Sequence, residues 1–170
     1  MKLIDALEVL RRPVLDAAPD LRVFLSCGFT PLHLQTFIAA QLRMQCPGHR
    51  VEVNTGLFGD LTGNIERLNL ADLESLAVVI EWADLDSRLA IRNLGGWRAA
   101  NLPDIVKSAD QAATRLQEVL LRVSQLVPTV VCFPTLPLPP SSPRRPEKHP
   151  RQSIISEIGS WMSLLTIFVQ

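Results

Sequence analysis

Apolar residues along the chain follow two alternating rhythms. Leu3, Ile4, Leu7 and Leu10 recur at helical spacing and stop at Pro13, which predicts a short amphipathic helix with those residues as its buried face. A linker carrying Pro13 and Pro19 leads to an apolar run that predicts a first strand near residues 22–26. Thr30-Pro31 then reads as a helix start, with Thr30 as cap and Pro31 at the first helical position, where a missing N–H costs nothing. Leu34, Phe37, Ile38, Gln41, Leu42 and Gln45 keep the helical period until Pro47-Gly48 stops it.

Residues 50–54 alternate polar and apolar as a half-buried strand does, and a turn with Gly56 and Gly59 follows. A helical stretch runs through Leu61, Ile65 and Leu68. Residues 76–80 (Leu-Ala-Val-Val-Ile) form a continuous apolar run bounded by polar residues, the pattern of a buried parallel strand. After a loop with Leu94-Gly95-Gly96-Trp97 comes the clearest helix, over about residues 103–126, with Ile105, Ala109, Ala112, Leu116, Val119, Leu120 and Val123 on one face. Residues 129–133 predict a fourth strand. The composition then shifts: residues 134–150 hold seven prolines and predict an extended loop. Ile154, Ile155, Ile158, Trp161, Met162 and Leu165 return to helical spacing and predict a terminal helix over 151–169.

This alternation calls for an α/β domain: about four strands in a mostly parallel sheet, joined by right-handed crossovers, with helices on both faces. At 170 residues the chain is expected to be one domain over 1–170. Lysine plus arginine equal aspartate plus glutamate at 17 each, which gives no electrostatic reason to expect nucleic acid or an anionic membrane as partner. Cys27, Cys46 and Cys132 are odd in number and lack C-x-x-C pairing. With no secretory start and no apolar run near the ~18–20 residues of a bilayer span, they predict a cytoplasmic protein in a reducing compartment.

In an open parallel sheet the functional crevice lies at the carboxyl ends of the strands. Four groups are expected there: Ser26, Cys27 and Thr30 after strand one; Asn54, Gly56 and Gly59 after strand two; Asp84 and Asp86 with Glu81 after strand three; Thr135 after strand four. Ser26 is the candidate nucleophile, with Cys27 beside it; the plain alternative is local turn chemistry, since no G-x-S-x-G elbow is present. The acids after strand three offer hard oxygen ligands for Mg²⁺, and VVIEWADLDSR resembles the first motif of haloacid-dehalogenase-type phosphatases. Arg88 stands at that motif's Thr/Val place, and the plain alternative pairs Asp84 or Asp86 with Arg88 or Arg92. His33, His49, His149 and the basic group Arg144, Arg145 and Lys148 fit solvated positions, and Trp82 and Trp97 fit either packing or a pocket wall.

The phrases RVFLSCGFTPLHLQTFIAAQL, GLFGDL, VVIEWADLDSRL with LGGW, and VVCFPTLPLPP resemble the N-terminal SGNH-hydrolase-like domain of FkbH-type biosynthetic proteins, over about residues 21–140. The resemblance implies a three-layer flavodoxin-like or SGNH-like fold and a link to acyl or glyceryl transfer onto carrier proteins in polyketide-type biosynthesis. Carried over by position, Ser26 takes the place of the catalytic serine, Gly56 or Gly59 that of the glycine, and 83–86 that of the asparagine block. The usual G-D-S is replaced by Leu25-Ser26-Cys27-Gly28, the third block has aspartates, and no D-x-x-H follows, so the chain reads as a C-terminally truncated form. Two readings follow: an SGNH-type esterase or acyl transferase, or a non-catalytic module that binds a carrier protein or a haloacid-dehalogenase-type domain. A weaker third is Mg²⁺-dependent phosphotransfer at Asp84 and Asp86; the first two need no metal or cofactor. A homo-oligomer formed through an open sheet edge is a further expectation.

Overall fold

The computed structural model describes residues 1–15, 17–90 and 98–133. The expected Pro-rich loop at 134–150 with Thr135, the terminal helix at 151–169 and the Leu94–Trp97 loop at 94–97 lie outside the described residues.

Among the described residues the helices and strands are α1 (Leu3–Arg11), β1 (Asp20–Cys27), α2 (Leu32–Gln45), β2 (Arg50–Thr55), α3 (Leu61–Glu66), β3 (Ser75–Val79), α4 (Trp82–Leu85), α5 (Leu102–Ser124) and β4 (Thr129–Cys132), the expected order with the short α4 added. The four strands form an all-parallel sheet in the order β2-β1-β3-β4. That is the flavodoxin-like order, and the architecture is three-layered.

Alternation along each strand decides which layer it feeds. Val23, Leu25 and Cys27 of β1 and Val53 of β2 face α2, where Leu34, Ile38 and Leu42 pack on them. Leu76, Val78 and Ile80 face the other way, onto Leu61 and Ile65 of α3 and Leu116, Val119, Leu120 and Val123 of α5. Burying each such side chain contributes roughly 1.5–3 kcal/mol before entropy is counted. The amphipathic stripe of α5 is therefore the main cover of one face, held in register by Arg115, whose guanidinium donates twice to the Glu66 carboxylate.

Two expectations about helices are corrected. The buried face of α1 is Ala6 and Val9, flanked by Leu10, against Ala40 and Phe37 of α2. Of the expected face only Leu10 packs inward; Ile4 is 64% exposed, and Leu3 and Leu7 are exposed too. Ala6 and Ala40 are both fully buried, and two alanines at a crossing let helix axes come close, which the larger leucines would prevent. Thr30 does not cap α2: the helix starts at Leu32, Pro31 occupies the cap position, and no side-chain cap bond forms. Among the described residues, no helix is long and apolar enough to cross a membrane.

Candidate functional site

The strand order reverses at β1, whose neighbours β2 and β3 are reached by crossovers on opposite faces. Three loops meet at the carboxyl edge there, and specific bonds join them. The Gly59 amide donates to the Gly28 carbonyl at 2.9 Å, tying the loop after β2 to the loop after β1. Gly59 sits at φ +73°, a left-handed backbone that favours glycine. The third loop enters through Asp84, whose carboxylate lies flush against Gly28, in the space a Cβ would need.

Ser26 is fully buried, and its hydroxyl donates to the Leu61 carbonyl at 3.1 Å, pinning the start of α3 to β1. Cys27 is buried too, with its thiol donating to the Phe29 carbonyl at 3.3 Å. Burial, aided by the nearby Asp84 and Glu81 charges, pushes the Cys27 thiol above its ordinary pKa, so the reactive thiolate is disfavoured. Thr30 is exposed in the loop after β1.

The two aspartates have opposite environments. Burial pushes the Asp84 carboxyl upward; the Glu81 amide, donating to Oδ2 at 2.7 Å, opposes this and the Glu81 charge adds to it. Asp86 is held low, first by hydrogen bonds from the Arg88 side chain, at 2.8 Å from Nε and 2.6 Å from Nη2. Arg88 also reaches Asp104 on α5 at 2.7 Å. Both oxygens of Asp86 are thus engaged by a guanidinium that fastens the third loop to α5, the pairing with Arg88 anticipated from the spacing. Among the described residues no group of three or more His, Cys, Asp or Glu side chains is placed to hold a metal ion.

Asn54 is exposed on β2 and donates to Glu52 at 3.0 Å, along its own strand. The loop after β2 is instead organised by Asn64, which sequence reasoning missed. Asn64 is 5% exposed, accepts from the Leu57 amide at 2.8 Å and donates to the Leu57 carbonyl at 2.7 Å. Its amide fills the space beside Gly56 that a side chain there would take. Asp60, also missed, caps α3 by accepting from the Gly63 amide at 3.1 Å and pairs with Arg67 at 2.8 Å. The signal was present as Asp60-Leu-Thr-Gly63, an acid three residues ahead of a small helix residue.

Folding the loop around Asn64 pushes Leu57 and Phe58 outward, to 66% and 75% exposure, and Leu32 at the start of α2 is 69% exposed. At the carboxyl edge, buried polar side chains thus lie beneath exposed apolar ones. A separate cavity of about 270 Å³, lined by Val9, Arg12, Pro13, Arg43, Met44 and Pro47, lies where α1 and α2 end, away from this edge. There Arg43 donates to the Arg12 carbonyl at 2.6 Å, satisfying a group at the end of α1.

Comparison with protein-family models, with curated proteins and with solved structures finds no match to the chain. The fold defines the class: a three-layer α/β protein with an all-parallel sheet, its loops joined at the carboxyl edge.

Proposed function

We propose that the chain is an SGNH-hydrolase-like domain of the FkbH type that works as a non-catalytic binding module, docking an acyl carrier protein at the carboxyl edge of its sheet. The reading rests on Ser26. A serine nucleophile needs an accessible hydroxyl within reach of a base, whereas this hydroxyl is fully buried and spent on the Leu61 carbonyl. The Ser26 hydroxyl is bonded to Leu61 and not to a histidine: His33 is exposed in the first turn of α2, and His49 precedes β2 at the opposite edge. The carboxyl edge suits a partner instead, because Leu32, Leu57 and Phe58 present exposed apolar surface there.

The test pairs two measurements on the full chain. Hydrolysis of p-nitrophenyl acetate and labelling by a fluorophosphonate are expected at background level, and unchanged in Ser26→Ala. Pull-down with an acyl carrier protein is expected to succeed, to survive Ser26→Ala, and to be lost in Phe58→Ser. Ester turnover abolished by Ser26→Ala would restore the hydrolase reading, and absence of carrier binding would remove this one.

A further inference from the structure

We propose that the cavity between the ends of α1 and α2 binds a small carboxylic acid with a short apolar chain, its carboxylate held between Arg12 and Arg43. The sequence builds this cavity from two helix stops. α1 ends at Arg11 ahead of Pro13, and α2 ends at Gln45 ahead of Pro47, since proline cannot continue a helix. Ala6 and Ala40, both fully buried, bring the two helices together further back along their length. Beyond that contact the side chains are longer, and Val9, Arg12, Pro13, Arg43, Met44 and Pro47 enclose about 270 Å³. That volume is just below the roughly 300 Å³ at which pockets for drug-sized ligands begin, so the occupant is small.

Two guanidinium groups on one small cavity set the charge of the occupant. Arg43 is oriented by its bond from Nη2 to the Arg12 carbonyl at 2.6 Å, in which its Nε and Nη1 take no part. Arg67, Arg88 and Arg115 elsewhere are matched by acids at 2.8 Å or closer. Among the described residues that line the cavity none is acidic, so an anion entering it meets two guanidiniums and no competing carboxylate. The helix ends decide which anion. Each carries roughly half a negative charge, so the two offset about one guanidinium charge and leave about one positive charge. A carboxylate matches that balance better than a phosphate dianion, and a guanidinium meets it through two parallel N–H···O bonds. The walls choose the rest of the molecule. Val9 is 8% exposed, and Pro13, Met44 and Pro47 are apolar too; the unbranched methionine adapts to a short chain beside it. The cavity lies away from the carboxyl edge, so this site does not depend on carrier-protein docking there.

An NMR titration of the full isotope-labelled chain at constant ionic strength tests the site. Butyrate is the probe, butyramide its neutral counterpart, and inorganic phosphate the competing anion. Butyrate is expected to give saturable shifts in the amides of residues 9–12 and 43–46 and in the Nε–H signals of Arg12 and Arg43. Butyramide is expected to give none there, and phosphate to bind at least about tenfold more weakly than butyrate. Arg12→Met is expected to weaken butyrate binding about tenfold or more, and Arg12→Lys by less, because lysine keeps the charge without the fork. Both changes leave the Arg12 backbone carbonyl, and with it the bond that orients Arg43, in place. Met44→Glu alters a side chain that is 45% exposed and puts a carboxylate in the wall, so it is expected to abolish binding. Shifts that do not saturate by about 20 mM butyrate overturn the proposal. So does butyrate binding unchanged in Arg12→Met, or phosphate binding as tightly as butyrate.

Discussion

The amide of Gly59 and the carbonyl of Gly28, 2.9 Å apart, join the two loops that border the switch point of the sheet. The bond requires the chain at Gly59 to turn through left-handed backbone, and nothing lies within 4 Å of where its Cβ would be. Substitution there is therefore a test of backbone conformation with little steric contribution. Gly59→Ala is expected to destabilise the domain by about 1–2 kcal/mol, and Gly59→Asn by less, because asparagine tolerates this region better. Urea midpoints of the three proteins check the order.

Gly28 presents the opposite case, in which space and not backbone is limiting. A Cβ at Gly28 would overlap the Asp84 carboxylate. Gly28→Ala is expected to cost about 1–3 kcal/mol by overpacking. Gly28→Ala combined with Asp84→Ala should cost less than the sum of the two single changes, since the second removes the obstacle. Additive values in a double-mutant cycle would contradict this contact.

Ser26→Ala removes the buried hydrogen bond from the hydroxyl to the Leu61 carbonyl. A loss of about 1–2 kcal/mol in stability is expected, with no change in ester turnover. Chemical denaturation and the p-nitrophenyl acetate assay together separate a structural serine from a catalytic one.

Asp84 and Asp86 should give opposite pH dependences. Folding raises the Asp84 pKa, so its contribution to stability is fully present below the unfolded value and is lost as pH rises through the folded one. Asp84→Asn should thus gain on the wild type as pH climbs from about 3 to 7. Folding lowers the Asp86 pKa, so its contribution is present above the unfolded value and disappears as pH falls through the folded one. Asp86→Asn should be most destabilising near neutrality, and should converge on the wild type in acid. Thermal melts across this range check both slopes.

Phe58→Ser alters an exposed side chain. Its stability should stay within about 0.5 kcal/mol of the wild type, while carrier-protein binding falls. A variant that keeps both would place the docking surface elsewhere.

Much of the fold is legible in local pattern. The strands at 50–55, 75–79 and 129–132 and the long helix at 102–124 lie where apolar runs and a 3.6-residue period put them, to within one or two residues. The face of α1 is not legible in the same way. Periodicity weights large side chains, so it selects Leu3, Ile4 and Leu7, while packing selects the small Ala6 that meets Ala40. The candidate site is read less completely. Ser26, Cys27, Gly56, Gly59 and Asp84 are found from their place after strands, but Asn64 and Asp60 sit in or before a helix and show their role only when Gly56 and Gly63 close on them.

The sequence by itself determined which segments are helix and which are strand, and that the strands run parallel, because those properties follow from short-range periodicity and connection length. Only the tertiary structure decided that Ser26 spends its hydroxyl on Leu61, that Asp86 belongs to Arg88 while Asp84 lies against Gly28, and that Val130 faces outward. Each of these depends on a neighbour brought close by the order β2-β1-β3-β4. Burial and hydrogen-bond partnership are properties of the space around a side chain, and that space is filled by residues distant in the chain.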